Sequence, residues 1–188
     1  MTVPGLTRAL TPALAAAVGL ALVPVAATAA PATDKTWNDR PETVTPAADI
    51  VSVRRVAAPP DGRWMRVIVR LADRIEAGDS LEVHFDTDND REPDVWITGL
   101  ASSEYEVYDT DRWRDTSDPI GALDCARMRF ALGERRGVVR FDPTCVEDDP
   151  VKAVRVNVRT SFLDKPHRRD FAPARREWLS RTAAHAAQ

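Results

Sequence analysis

The segment SLEVHFDTDNDREPDVWI, residues 80–97, places an acidic loop between two apolar, strand-like stretches. Before the loop, Leu81, Val83 and Phe85 alternate with polar residues. This is the period of a β-strand that turns one face towards a core. After the loop, residues 94–98 form a second strand-like stretch. The segment therefore predicts two strands joined by a charged loop.

The same period of two recurs through much of the chain, and no long helical period lies between these segments. Clusters of proline, glycine and aspartate separate them, as turns between strands require. Strands are predicted over residues 49–56, 65–71, 81–85, 94–98, 105–109, 126–130, 138–141 and 154–158. Short strands at this spacing predict an all-β fold: a single antiparallel β-sandwich of about eight strands, similar to a jelly roll.

The N-terminus predicts export. Arg8 precedes the alanine-rich run ALTPALAAAVGLALVPVAATAA, residues 9–30, whose end is crowded with small residues that suit a cleavage site. The alternative is a membrane anchor, but Pro12 and Pro24 bracket an apolar core of about a dozen residues, shorter than the roughly 20 needed to span a bilayer. We predict a signal peptide over residues 1–29 and a secreted, extracellular protein whose mature chain has no membrane span.

The mature chain divides into three parts, together of ordinary size for one domain. Residues 30–47 are rich in proline and threonine and predict a flexible leader, and residues 48–163 hold the sandwich. Residues 164–188 predict a basic tail that docks in part through Phe171 and Trp178. Cys125 and Cys145 are the only cysteines, and in an exported chain an even count predicts a disulfide that closes a loop of about 20 residues.

The acidic loop carries aspartates at alternate positions. Asp86, Asp88 and Asp90, with Asp94 after a proline turn, could point their oxygens at one centre. Calcium takes six to eight oxygen ligands, so these four aspartates predict a Ca²⁺ site. The loop is not an EF-hand, because Arg91 stands where that motif requires glycine. The alternative is a charged turn without an ion, since aspartate and asparagine are common turn formers and Arg91 could neutralise part of the charge.

The order of features resembles a protein family. In order, these features are a signal peptide, a strand pair, FDTDNDREPD before an apolar strand, two cysteines, a valine-arginine strand and a short tail containing FAP. Together they resemble a group of small secreted actinobacterial proteins of uncharacterised function. The stretch DTDNDREPDVWI is also similar to the acidic loop of β-sandwich modules related to carbohydrate-binding and DOMON-like domains. The resemblance implies a sandwich fold and an extracellular location.

Binding is the function that these features favour. Trp64, Trp96 and Trp113 could serve as stacking platforms for a polysaccharide, or could be buried beneath the tail. Arginines on the predicted strands could bind an acidic cell-wall polymer, or could pair with acids on neighbouring strands. They are Arg66, Arg70, Arg127, Arg129, Arg155 and Arg159. We expect a partner of one of these polymer classes and no nucleic acid.

Catalytic motifs are absent from the sequence. There is no GxSxG, no HExxH and no glycine-rich phosphate loop, and we predict no catalytic residue. The sequence therefore predicts a noncatalytic binding module. Two alternatives stay open: a secreted hydrolase, because paired carboxylates are defined only in three dimensions, and an exported subunit that binds another protein.

Overall fold

The computed structural model describes residues 34–39, 48–58, 64–101, 104–113, 121–122, 128–142, 153–162 and 169–183. All regular secondary structure in these ranges is β. The strands are β1 Lys35–Asn38, β2 Ile50–Val56, β3 Met65–Leu71, β4 Asp79–Asp86, β5 Val95–Leu100, β6 Tyr105–Asp109, β7 Gly121–Ala122, β8 Met128–Gly133, β9 Arg136–Phe141, β10 Ala153–Phe162, β11 Arg169–Ala172 and β12 Thr182–Ala183. No helix that could cross a membrane occurs among these residues. The predicted signal peptide and both cysteines lie outside the described ranges.

Two antiparallel sheets form a β-sandwich, which confirms the predicted fold class. The first sheet has the order β1-β2-β3-β9-β8, and the second has the order β11-β10-β4-β5-β6-β7, with β12 paired to β10. The twelve strands described exceed the predicted number of about eight. The additional strands are β1, inside the segment predicted as a leader, β7, and β11 and β12, inside the predicted tail. All four strands are too short to show the alternation of apolar and polar residues by which the longer strands were predicted.

The core lies between the facing sides of the two sheets. The side chains of Met65, Val67 and Val69 from the first sheet are almost fully buried, as are those of the second sheet that face them. The rings of Phe85 and Phe141 stack across the interface with centroids 4.7 Å apart. The alternation that predicted these strands therefore marks the face that packs in the core.

Strand β4 is buried on both faces. Its inner residues belong to the core, and its outer residues Ser80, Glu82 and His84 are also buried. β4 lies between β10 and β5, so side chains from both neighbours cover its outer face. The outer face of β4 is consequently covered by a packed polar and aromatic layer.

The segment after β11 packs along β10. The backbone N–H of Leu179 donates to the carbonyl oxygen of Val156 over 2.9 Å. The side-chain amide of Asn157 donates to the carbonyl oxygens of Ala174 and Glu177 over 2.9 and 2.7 Å. These contacts hold residues 173–181, which we call the C-terminal segment, beside the second sheet.

Candidate functional site

The acidic loop brings together three of the four aspartates predicted to bind calcium. Asp86, Asp88 and Asp94 each place a carboxylate oxygen within 4.8 Å of the other two. Asp90 is exposed and stands outside this cluster, since its Oδ1 accepts a hydrogen bond from the backbone N–H of Glu92 over 2.7 Å. Oxygens at this spacing can share one Ca²⁺ ion, because Ca–O distances are about 2.4 Å.

The aspartates also build the turns of the loop. Oδ1 of Asp86 accepts from the backbone N–H of Asn89 over 2.6 Å, and Oδ1 of Asp88 accepts from that of Asp90 over 2.9 Å. Asp94 Oδ2 accepts from both the backbone N–H and the hydroxyl of Thr87, over 2.5 and 2.7 Å. These are the contacts expected of a charged turn. The two predicted roles of the loop, turn and ion site, involve the same carboxylates.

A strand residue outside the loop supplies positive charge to it. Nη1 of Arg155, on β10, donates to Oδ2 of Asp86 over 3.2 Å, and Nη2 donates to Oδ1 of Asn89. Burial raises the pKa of Asp86, and Arg155 offsets part of this effect. Burial also raises the pKa of Asp94. A cation at Asp86 would therefore share this carboxylate with a guanidinium, while Asp88 and Asp94 have no described ion pair.

The three predicted tryptophans do not meet in one site. Trp96 is only 7% exposed; its Nε1 donates to Oε2 of Glu82 over 3.1 Å, and its ring stacks on Tyr108 at a centroid distance of 4.6 Å. Trp113 is half-buried against the C-terminal segment. Trp64 is 36% exposed and precedes β3. Of the three, Trp96 lies in the outer layer of the second sheet, as a buried support rather than an exposed platform.

His84 lies between two of these aromatic rings. Its ring centroid is 6.3 Å from that of Trp96 and 5.5 Å from that of Trp113. Its Nδ1 is buried and has no hydrogen-bond partner. Burial, with a smaller contribution from Arg159, lowers the pKa of His84 to about 3. The imidazole is therefore neutral near pH 7.

A groove opens on the outer face of the second sheet, which we call the outer-face groove. Its volume is about 550 Å³. Its lining comes from β4, β5, β6, β10 and β11 and includes Ser80, Glu82, Trp96, Thr98, Glu104, Tyr105, Glu106, Tyr108, Arg159, Ser161 and Arg169. Pairing of β10 with β4 and of β4 with β5 sets Arg159, Glu82 and Thr98 in one row across the sheet.

The floor of the outer-face groove is an ion pair. Arg159 Nη2 donates to Oε2 of Glu82, and the two side chains are 7% and 4% exposed. Because this Glu82 oxygen also accepts from the Trp96 indole, the carboxylate is held in place. At the rim, the hydroxyl of Tyr108 donates to Oε2 of Glu106, and this bond raises the pKa of Tyr108 to about 12.

Sequence reasoning missed the outer-face groove. Alternation placed Glu82 opposite the core and Arg159 on a strand, but nothing local showed that β10 pairs with β4 in a register that sets the two side by side. The open alternative that strand arginines pair with cross-strand acids is the arrangement that Arg159 adopts. Tyr105 and Tyr108 carried no signal beyond their place in a predicted strand.

A crevice at the edge of the sandwich contains an arginine without a carboxylate partner. Arg55 on β2 is 2% exposed, and its Nη1 donates to the carbonyl oxygen of Val154 over 3.3 Å. Burial lowers the pKa of Arg55 to about 10. The crevice has a volume of about 510 Å³, and Trp37 and Trp178 also line it.

Comparisons with protein-family models, with characterised proteins and with solved structures find no match to this chain. The described structure therefore defines the protein by class alone: an antiparallel β-sandwich with an acidic loop and an aromatic, charged groove on one outer face.

Proposed function

We propose that this protein is a secreted, noncatalytic binding module whose outer-face groove binds an extracellular polysaccharide or cell-wall polymer. The observation that carries the proposal is the gathering of the Tyr108 ring with Glu106, Arg159 and other polar side chains on one sheet face. The predicted signal peptide supports secretion, and in that setting we expect Cys125 and Cys145 to form a disulfide.

The chemistry of the groove suits a sugar. Pyranose rings present apolar C–H faces that pack on aromatic rings and hydroxyls that pair with charged groups. The Tyr108 ring is half-buried and supported from one side by Trp96, so it can offer a fixed surface. Glu106 and Glu104 are exposed at the rim, where they can accept hydrogen bonds from hydroxyls. The volume of about 550 Å³ lies within the range of small-ligand sites.

The state of Glu82 favours binding over hydrolysis. A general acid or base needs a carboxylate that can exchange a proton with the substrate. Oε2 of Glu82 is engaged by both Arg159 and Trp96 in a buried position, so this group serves as a structural anchor for the groove floor.

The acidic loop is proposed as a structural calcium site. Asp86, Asp88 and Asp94 supply the protein ligands, and water completes the shell. The loop precedes β5, which carries Trp96, so an ion there would steady the strand that supports Tyr108.

Polymer retention tests the proposal. The purified protein is mixed with insoluble cellulose, chitin, xylan and isolated cell walls, and the bound fraction is measured after washing. Retention by at least one polymer is expected, and Tyr108→Ala or Glu106→Gln should weaken the binding at least tenfold. Trp64→Ala is the control, since this exposed tryptophan does not line the groove.

Two results would contradict the proposal. Retention of Tyr108→Ala equal to that of the wild type would show that binding occurs elsewhere. Steady release of soluble sugar from any of these polymers would establish the hydrolase alternative instead.

A further inference from the structure

A second group of carboxylates lies where the edges of the two sheets meet. Asp39 follows β1, Asp49 precedes β2, and Asp170 belongs to β11 of the other sheet. One carboxylate oxygen from each lies within 4.8 Å of those of the other two. This separation is about twice the Ca–O distance, so one ion can contact all three residues.

Two of the three carboxylates are buried. Asp170 is 2% exposed, and its Oδ2 accepts from the backbone N–H of Ile50 over 2.6 Å, while its Oδ1 accepts from that of Phe171 over 2.7 Å. These bonds fix the carboxylate against the start of β2. Each carboxylate oxygen has further lone-pair capacity for a metal ion.

Asp49 provides a separate observation that points to a ligand. It is 9% exposed, and its Oδ1 is buried without any hydrogen-bond partner. No described residue forms an ion pair with Asp49. A buried carboxylate oxygen that no donor satisfies is costly, and natural structures normally satisfy such atoms with a protein group, water or an ion.

The charged neighbours that act on Asp49 are acids. Burial raises the pKa of Asp49, and Asp39 and Asp73 raise it further.

We infer that Asp39, Asp49 and Asp170 form a divalent-cation site, best suited to Ca²⁺, that joins the edge of the first sheet to β11 of the second. The ligands are all hard oxygens, which calcium prefers over the nitrogen and sulfur donors that zinc selects. The ion takes one oxygen from each aspartate, including the unpartnered Oδ1 of Asp49, and water fills the remaining positions. It compensates the repulsion among the three carboxylates.

Calorimetric titration with CaCl₂ tests this inference. The full exported chain is titrated as Asp88→Asn, which disables the acidic loop, and as Asp88→Asn/Asp49→Asn. The first variant is expected to bind one equivalent of Ca²⁺. The second should bind none, or bind with at least a tenfold weaker dissociation constant. Asp34→Asn in the same Asp88→Asn background is the matched control, because Asp34 flanks β1 and pairs with the exposed Arg54.

Thermal melting in EDTA distinguishes the loss of a calcium ligand from misfolding of the Asp49→Asn variant. Asp49→Asn is isosteric and removes like-charge repulsion, so its midpoint without metal should equal or exceed that of its parent. Calcium should then raise the midpoint of the parent and leave that of the variant unchanged. Three results would overturn the inference. The first is an Asp88→Asn chain that binds no calcium, and the second is calcium binding with equal stoichiometry in both variants. The third is an Asp49→Asn chain that melts at a lower temperature in EDTA and still shows a higher midpoint with calcium.

Discussion

The indole rings of Trp113 and Trp178 lie 4.6 Å apart between centroids, and both donate to one oxygen. Each Nε1 is 2.9 Å from the carbonyl oxygen of Arg91. Arg91 has a positive φ of 81°, which turns this part of the acidic loop away from strand geometry. Two residues distant in sequence thus hold the loop in a conformation that its own backbone disfavours.

Replacing Trp178 should loosen this arrangement in two stages. Trp178→Phe keeps an aromatic ring at this position but loses the hydrogen bond to the carbonyl oxygen of Arg91. We therefore expect the free energy of unfolding to fall by about 1 kcal/mol. Trp178→Ala also loses ring packing and should cost about 3 kcal/mol. Urea unfolding measures both. Trp64→Phe, at an exposed position, should change the stability little; equal effects at Trp64 and Trp178 would contradict the role given to the pair.

Acid should destabilise the protein through His84. The folded pKa is about 3, and the unfolded value is about 6.5. Between these values the unfolded chain binds a proton that the folded chain excludes. The contribution of His84 is therefore fully present above pH 6.5 and falls by about 1.4 kcal/mol per pH unit below about pH 6.

Urea unfolding at pH 7, 6 and 5 measures this dependence. His84→Gln cannot take up the proton, so its stability should fall less steeply than that of the wild type. The buried carboxylates are present in both chains, and the difference between the two profiles isolates His84. Parallel profiles would mean that His84 takes up its proton as readily in the folded chain as in the unfolded chain.

The proposed calcium ion in the acidic loop should be visible in thermal melts. In an Asp49→Asn background, millimolar calcium should raise the midpoint by several degrees over EDTA. An ion at about 100 times its dissociation constant adds roughly 2.7 kcal/mol, and each kcal/mol shifts the midpoint by about 2–4 °C. Asp88→Asn should abolish the rise, whereas Asp90→Asn should keep it, because Asp90 lies outside the cluster. A rise that is absent, or that depends equally on both residues, would leave the loop as a charged turn.

Close approach of the two sheets makes Gly99 sensitive to any side chain. A Cβ at Gly99 would lie 1.9 Å from Cε1 of Phe130. Gly99→Ala must displace this ring, and we expect a loss of about 1–3 kcal/mol in the free energy of unfolding. Gly133→Ala is the control, since its Cβ would meet no atom closer than 3.6 Å. Similar losses at both positions would show that the loss at Gly99 does not come from the contact with Phe130.

The sequence predicted the long strands because their signal is local. The alternation in β3 and β10 reports which face is buried, whatever strand lies alongside. The short β1 and β11 have no such pattern, and pairing with β2 and β10 orders them. Strand pairing between distant segments is not encoded in any one window of residues.

The candidate sites divide in the same way. Three aspartates close in sequence come together because one loop carries them, and Asp90 points elsewhere because its carboxylate caps the following turn. Glu82 and Arg159 are 77 residues apart and meet only through the register of β4 and β10. The Asp39, Asp49 and Asp170 cluster likewise depends on how the sheet edges meet.

The contact between β1 and the C-terminal segment has a consequence for folding speed. Nζ of Lys35 lies 3.5 Å from both Oγ of Ser180 and the carbonyl oxygen of Arg181, across 145 and 146 residues. Closing such long loops costs chain entropy before the stabilising packing contacts have formed. Sandwiches rich in these contacts therefore fold in milliseconds to seconds rather than microseconds. The crevice around Arg55 can close only after nearly the whole chain is available, and its assembly is expected to be among the last events of folding.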